Sequence, residues 1–130
     1  MIIDSSAWIE YFQRPTGPTG DAVAYVVRRR AAMTTDVVRL ELMAGARSST
    51  FALAIREALD ACTDLAQQRL DDVEAAAELF VACRQAGETI RSSNDCLIAA
   101  IAIRNDVAVL HNDKDFDAIA RHSSLKALRV

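Results

Sequence analysis

Glycine, proline and aromatic residues are scarce in this 130-residue chain: four glycines, two prolines and 5% aromatics. Both prolines and two of the glycines fall in one segment, QRPTGPTG, which therefore reads as a loop and leaves the rest to regular elements. Histidine is limited to His111 and His122, which excludes a histidine-rich zinc site. The three cysteines, Cys62, Cys83 and Cys96, are odd in number and widely spaced. They make neither a disulfide framework nor a zinc site, and Cys83 and Cys96 read as buried thiols among helical apolar residues. No apolar run reaches the roughly 18 residues of a membrane span. The start, MIIDSSAW, lacks the basic residues and long apolar run of a secretion signal, so the cytosol is the expected compartment. Positive charge is also short. The formal net charge of -3 does not look like that of a nucleic-acid binder.

What is present is apolar surface. At 130 residues and 52% apolar, the chain has the size of one domain, residues 1–130, with a real core. Alanine and valine dominate, which suits closely packed helices around a short sheet. MII reads as a buried strand ending at Asp4, with Ser5 or Ser6 capping a helix AWIEYF. After the loop come a helix DAVAYVVRRRA, a strand AAMT and a helix VVRLELMAGA capped by Thr35 or Asp36. FALAIREALDAC carries Phe51, Ile55, Leu59 and Cys62 on one helical face. LAQQRL is a weak third strand. DDVEAAAELFVACRQAG is a strong helix, with acids at its start and Arg84 and Gly87 at its end. SSNDCLIAAIAIRN is nearly all apolar and belongs in the core. VAVL is a buried strand, DFDAIARH a short helix and LKALRV a last strand. Strands alternating with helices predict an α/β fold with a short, mostly parallel sheet flanked by helices.

Ligands of such sheets bind outside the carboxyl ends of the strands. MII and VAVL both run into aspartates there. If the strands are parallel neighbours, Asp4 and Asp113 share one edge of the sheet, with Asp115 close by. Glu41 sits between Leu40 and Leu42 and must face an opening, a partner or water. Asp95 lies in the first turn of the apolar helix. Converging carboxylates without basic partners repel one another and rise in pKa, and a divalent cation relieves that repulsion. Magnesium and manganese take oxygen ligands of this kind.

Each acid also has a purely structural role open to it. Asp4 can cap the helix after it. Ser92 and Asp95 have the spacing of a capping box. Asp113, Asp115 and Asp117 suit a turn and a first helical turn, and Asp117 is left to that role. Ser6 is as much a cap as a site residue. Trp8, Tyr11 and Phe12 suit a core or dimer face more than base stacking. His111 reads as structural.

The ordered motifs MIIDSSAWIEYF, LELMAGA, ETIRSSNDCLIAAIAIRN and VLHNDKDFDAIA resemble, nearly end to end, those of PIN domains, and in particular of the VapC toxins of bacterial VapBC toxin–antitoxin pairs. The resemblance implies a PIN fold and a metal-dependent endoribonuclease using Mg²⁺ or Mn²⁺. Position by position it implies Asp4, Glu41, Asp95 and Asp113 as the acidic site, Asp115 as a fifth member and Ser6 as the small hydroxyl residue beside the first aspartate. It also implies a separate VapB-type antitoxin and a homodimer in a larger toxin–antitoxin assembly.

The charge sum changes meaning in that light. Without the five acids the balance moves from -3 to +2, a mildly basic remainder that RNA tolerates. Arg91, just ahead of Asp95, and Arg14, in the loop, are the candidate RNA contacts. Arg91 can equally pair with one of the acids. Arg28 to Arg30 read better as a solvated helix end. Two other classes compete: a non-catalytic PIN-like module that binds RNA or protein, and a haloacid-dehalogenase-like phosphatase. The phosphatase wants a second aspartate where this chain has Ser6.

Overall fold

The computed structural model describes residues 1–130. Five short strands form one sheet: β1 (Ile2–Ile3), β2 (Met33–Thr34), β3 (Thr63–Asp64), β4 (Val109–His111) and β5 (Ala127–Arg129). Their order is β3-β2-β1-β4-β5, and every pairing is parallel. Seven helices connect them: α1 (Ser5–Gln13), α2 (Pro18–Arg28), α3 (Asp36–Gly45), α4 (Ser49–Asp60), α5 (Arg69–Gln85), α6 (Ser93–Arg104) and α7 (Lys114–Arg121). The α/β expectation is met, and the sheet is parallel throughout.

Burial explains the centre. Ile2, Ile3 and Val109 are fully buried, and Leu110 nearly so, as expected of parallel strands covered on both faces. In α6, Cys96 and every residue from Ile98 to Ala102 are buried, which makes it the core helix that its composition predicts. Trp8 of α1 is buried too and stacks on Phe12 at 5.7 Å between ring centroids. All three cysteines are free thiols.

Three local expectations need correction. LAQQRL is not the third strand. β3 is Thr63–Asp64, two exposed polar residues at the sheet edge, so no apolar pattern marks it; Arg69 and Leu70 already belong to α5. The loop around the prolines ends early, because Pro18 lacks an amide hydrogen to satisfy and suits the first position of α2. Gly20 is required there: a Cβ on it would lie 2.4 Å from the Pro15 carbonyl oxygen. Finally, of the caps open to α1, the structure uses Asp4, as its place before the helix allowed, and not Ser5 or Ser6; its carboxylate accepts from the Ser6 amide at 2.9 Å.

The order of the strands places the site. From β1 the chain moves outward through β2 and β3, then returns across to β4 and β5 on the other side. The direction of winding reverses between β1 and β4, where the loops diverge and open a crevice. Ile2 pairs with Val109 and Ile3 with Leu110, so Asp4 leaves β1 beside the point where β4 runs on to Asp113.

Candidate active site

The crevice is a cleft of about 390 Å³. Asp4, Glu41, Asp95, Asp113 and Asp115 all line it, and so do Ser6 and Arg91. Four separate elements supply the acids: the end of β1, α3, α6 and the β4–α7 junction. Arg14 is not among its walls. It sits exposed after α1, 3.7 Å from Glu10. Asp117 also lies outside, bonded by Arg129, in keeping with a structural role.

Asp4 is 2% exposed. Its Oδ2 accepts from both the amide and the hydroxyl of Ser6, whereas its Oδ1 is buried with no partner. Burial raises its pKa most, and the Glu41 charge adds to that. The Ser6 hydroxyl also accepts from the Asn112 amide at 3.0 Å, so one side chain ties the β1 end to the β4 loop.

Glu41 has the partners its apolar neighbours call for. Ser5 Oγ donates to Oε2 at 2.8 Å and Asn94 Nδ2 to Oε1 at 3.0 Å. Sequence reasoning missed Ser5 and Asn94; each directly adjoins an acid, Asp4 or Asp95, and that adjacency was the available signal. Ser92 caps α6 through the Asn94 amide, at 3.2 Å. The capping box suggested for Ser92 and Asp95 is not formed. No hydrogen bond reaches the Asp95 carboxylate. Burial and the charges of Asp4, Asp113, Asp115 and Glu41 push its pKa up to about 8.

Asp113 caps α7, its Oδ1 accepting from the Asp115 amide at 3.0 Å. Asp115 is 2% exposed and accepts at Oδ2 from the Arg91 backbone amide at 2.8 Å. The Arg91 side chain donates to Asp115 Oδ1 at 3.3 Å and to Asp113 Oδ1 at 2.5 Å. His111 is fully buried behind this corner, and burial lowers its pKa, so it is neutral. Its Nδ1 accepts from the Asp113 amide at 3.3 Å, a structural role that orients the junction.

The donor set suits a hard divalent cation. One oxygen from each of Asp95, Asp113 and Asp115 lies within 4.8 Å of the others. Asp4 Oδ1 is a buried acceptor with nothing to accept. Every candidate ligand is a carboxylate oxygen, which favours magnesium or manganese over zinc.

Known proteins resemble this chain in sequence and in fold. The family model described as PIN domain matches residues 1–122. Ribonuclease VapC11 of Mycobacterium tuberculosis and VapC ribonuclease Mb1587 of Mycobacterium bovis are each 40% identical over 134 residues, covering 98% of this chain and 96% of their own. Among solved structures, VapBC2 of Rickettsia felis, bound to a DNA fragment from its promoter, matches with a TM-score of 0.74 and 16% identity over 99% of this chain and 97% of that one. VapBC-5 of Mycobacterium tuberculosis, a member of a toxin–antitoxin family, matches with a TM-score of 0.68 and 23% identity over the same shares. At those identities the structural likeness speaks to the fold.

Proposed function

The chain belongs to the PIN domain family, among the VapC ribonucleases, and from that we propose that it is the endoribonuclease toxin of a toxin–antitoxin pair. It hydrolyses phosphodiester bonds in cellular RNA and so inhibits translation and growth. In this reading residues 1–130 are a single PIN domain. The observation that carries the proposal is the convergence of five carboxylates at the switch point of the sheet, with Asp95 unbonded and Asp4 Oδ1 orphaned.

Asp4 and Asp95 would be the first direct ligands for Mg²⁺ or Mn²⁺, and Glu41, Asp113 and Asp115 would complete the site directly or through water. The ion, when bound, neutralises charge on the phosphate and lowers the pKa of an attacking water. The chain's own residues do the rest. Glu41, held at both oxygens by Ser5 and Asn94, keeps its orientation without help from the ion and is set to orient that water. Ser6 fixes Asp4 against the Asn112 loop, so the two sides of the cleft keep their spacing. Arg91 at the mouth, and Arg14 further out, contact the RNA backbone.

The solved relatives' titles, which name VapBC toxin–antitoxin complexes, support an antitoxin partner. In this reading a cognate VapB-type antitoxin covers the cleft, and the toxin acts as a homodimer within a larger assembly. No helix is long and apolar enough to cross a membrane, and we place the protein in the cytoplasm of a bacterium or archaeon.

The test is cleavage of a structured RNA pool by antitoxin-free protein in Mg²⁺, Mn²⁺ or EDTA, beside Asp95→Asn. Cuts at defined sites, present with metal and absent in EDTA and in the variant, are expected. Cutting that survives both EDTA and the variant would refute the proposed chemistry.

A further inference from the structure

Arg91 is the one basic side chain lining the acidic cleft, and it is bonded to two of the acids there. Its guanidinium holds Asp113 Oδ1 through Nη2 and Asp115 Oδ1 through Nε. Asp113 and Asp115 are two of the three acids whose oxygens converge within 4.8 Å. A cation seated among them takes an oxygen from each of these carboxylates, and the guanidinium already holds one oxygen, and part of the charge, of two of them.

We infer that Arg91 is a built-in competitor for the metal site: a divalent cation held at Asp95, and taking Asp113 and Asp115 directly rather than through water, displaces the guanidinium, which swings to the cleft mouth and becomes available to a substrate phosphate. The inference rests on the metal-nuclease reading above and adds to it a coupling between metal loading and substrate capture.

The local geometry makes such a swing inexpensive. Arg91's main chain is fixed independently of its side chain. The backbone amide donates to Asp115 Oδ2 at 2.8 Å, Ile90 before it is buried, and Ser92 after it caps α6. Asp115 therefore keeps its shortest bond when Oδ1 is given up, and Oδ1 carries the longer contact, 3.3 Å. The side chain of Arg91 is 57% exposed, against 3% for Asp115, so its head already faces solvent on one side. An ion pair that open to water is weak enough for a doubly charged ion to displace. A planar guanidinium freed at that point is well shaped for phosphate.

The competition predicts a sign that a structural arginine does not. If Arg91 merely organises Asp113 and Asp115, removing it disorders the ligands and weakens metal binding. If it competes, removing it strengthens metal binding. Mn²⁺ affinity is measured by titration, with free ion read by electron paramagnetic resonance, for wild type, Arg91→Gln, Arg91→Lys and Asp95→Asn. Arg91→Gln is expected to bind Mn²⁺ about twofold to fivefold more tightly, the scale of a solvent-facing ion pair. Arg91→Lys, which keeps the charge but loses the two-pronged grip, is expected to fall between. Asp95→Asn is expected to weaken binding, which assigns the ion to this cleft. Equal or weaker binding by Arg91→Gln, with the wild type binding normally, would overturn the competition alone. No Mn²⁺ binding by wild type and Arg91→Gln alike would overturn the metal reading, and the competition with it.

Discussion

Asp72 and Asp95 lie in the first turns of the two packed helices α5 and α6, and are 1% and 8% exposed. Their surroundings are opposite. Asp72 accepts two bonds from Arg104, at 2.8 and 2.9 Å, and one from the Gln68 amide at 2.6 Å. The Arg104 guanidinium holds its carboxyl below the ordinary value. Asp95 accepts nothing and is pushed up to about 8 by burial and by four other acids. The same fold thus satisfies one buried carboxylate completely and leaves another bare. The difference is positional: Asp72 ties a helix and the loop before it together, whereas Asp95 faces the crevice where the sheet reverses its winding. A carboxylate left without a protein partner destabilises the fold unless something outside the chain completes it. The proposed site lies where the fold withholds satisfaction that it supplies elsewhere.

Exchanging the two aspartates for asparagine sharpens the contrast most. Asp95→Asn is expected to reduce RNA cleavage by about a thousandfold, the scale of several kcal/mol of transition-state stabilisation. Asp72→Asn weakens the Arg104 pair yet leaves cleavage by the folded protein near the wild-type rate. Initial rates on one RNA measure both. Equal losses would erase the distinction between a structural and a functional carboxylate.

The next largest effect is on stability. Arg104→Ala strands Asp72 and also removes the bond to the Ala66 carbonyl. A buried charge stripped of its partner costs about 3 to 5 kcal/mol, and with Arg104 partly exposed, about 2 to 3 kcal/mol is expected by urea denaturation.

pH separates the pair by sign. Asp95 has a folded pKa above its ordinary 3.8, so folding favours its protonated form. The associated stability is whole below about 3.8 and is lost as pH climbs through about 8. Asp72 is shifted the other way; its contribution is present above 3.8 and is lost as pH falls below that. Metal-free protein is therefore expected to lose melting temperature from pH 5 to pH 8. Asp95→Asn should flatten that slope and gain about 4 °C at pH 8, roughly 1 kcal/mol for a domain of this size. A slope unchanged by the substitution would contradict the assignment.

The smallest effect concerns the scaffold of the cleft. Ser6→Ala cuts the link between Asp4 and the Asn112 loop. Cleavage is expected to fall about tenfold, as when a residue supporting a metal ligand is lost. The melting temperature should barely move.

Much of this was readable in the residues. Two apolar strands that each run into aspartate announced a parallel sheet with acids at one edge, because burial on both faces leaves an apolar run and the next polar residue marks where it ends. Glu41 stood out because leucines flank it. What escaped were features without an apolar or charge signature. β3 is two exposed residues held by backbone pairing alone. Ser5 and Asn94 are ordinary polar residues until α1, α3 and α6 bring them to Glu41. The grip of Arg91 on Asp113 and Asp115 spans more than 20 positions, and the sequence could say only that Arg91 lies near Asp95 and can pair with one of the acids, not with which.

The most direct measurement of the central claim is the melting temperature with and without Mn²⁺ at pH 8, for wild type and Asp95→Asn. An ion at about a hundred times its dissociation constant stabilises by about 2.7 kcal/mol. The wild type should gain several degrees, and Asp95→Asn should gain little at the same concentration. No gain in the wild type, or an equal gain in both, would contradict the view that a cation is the partner these carboxylates lack.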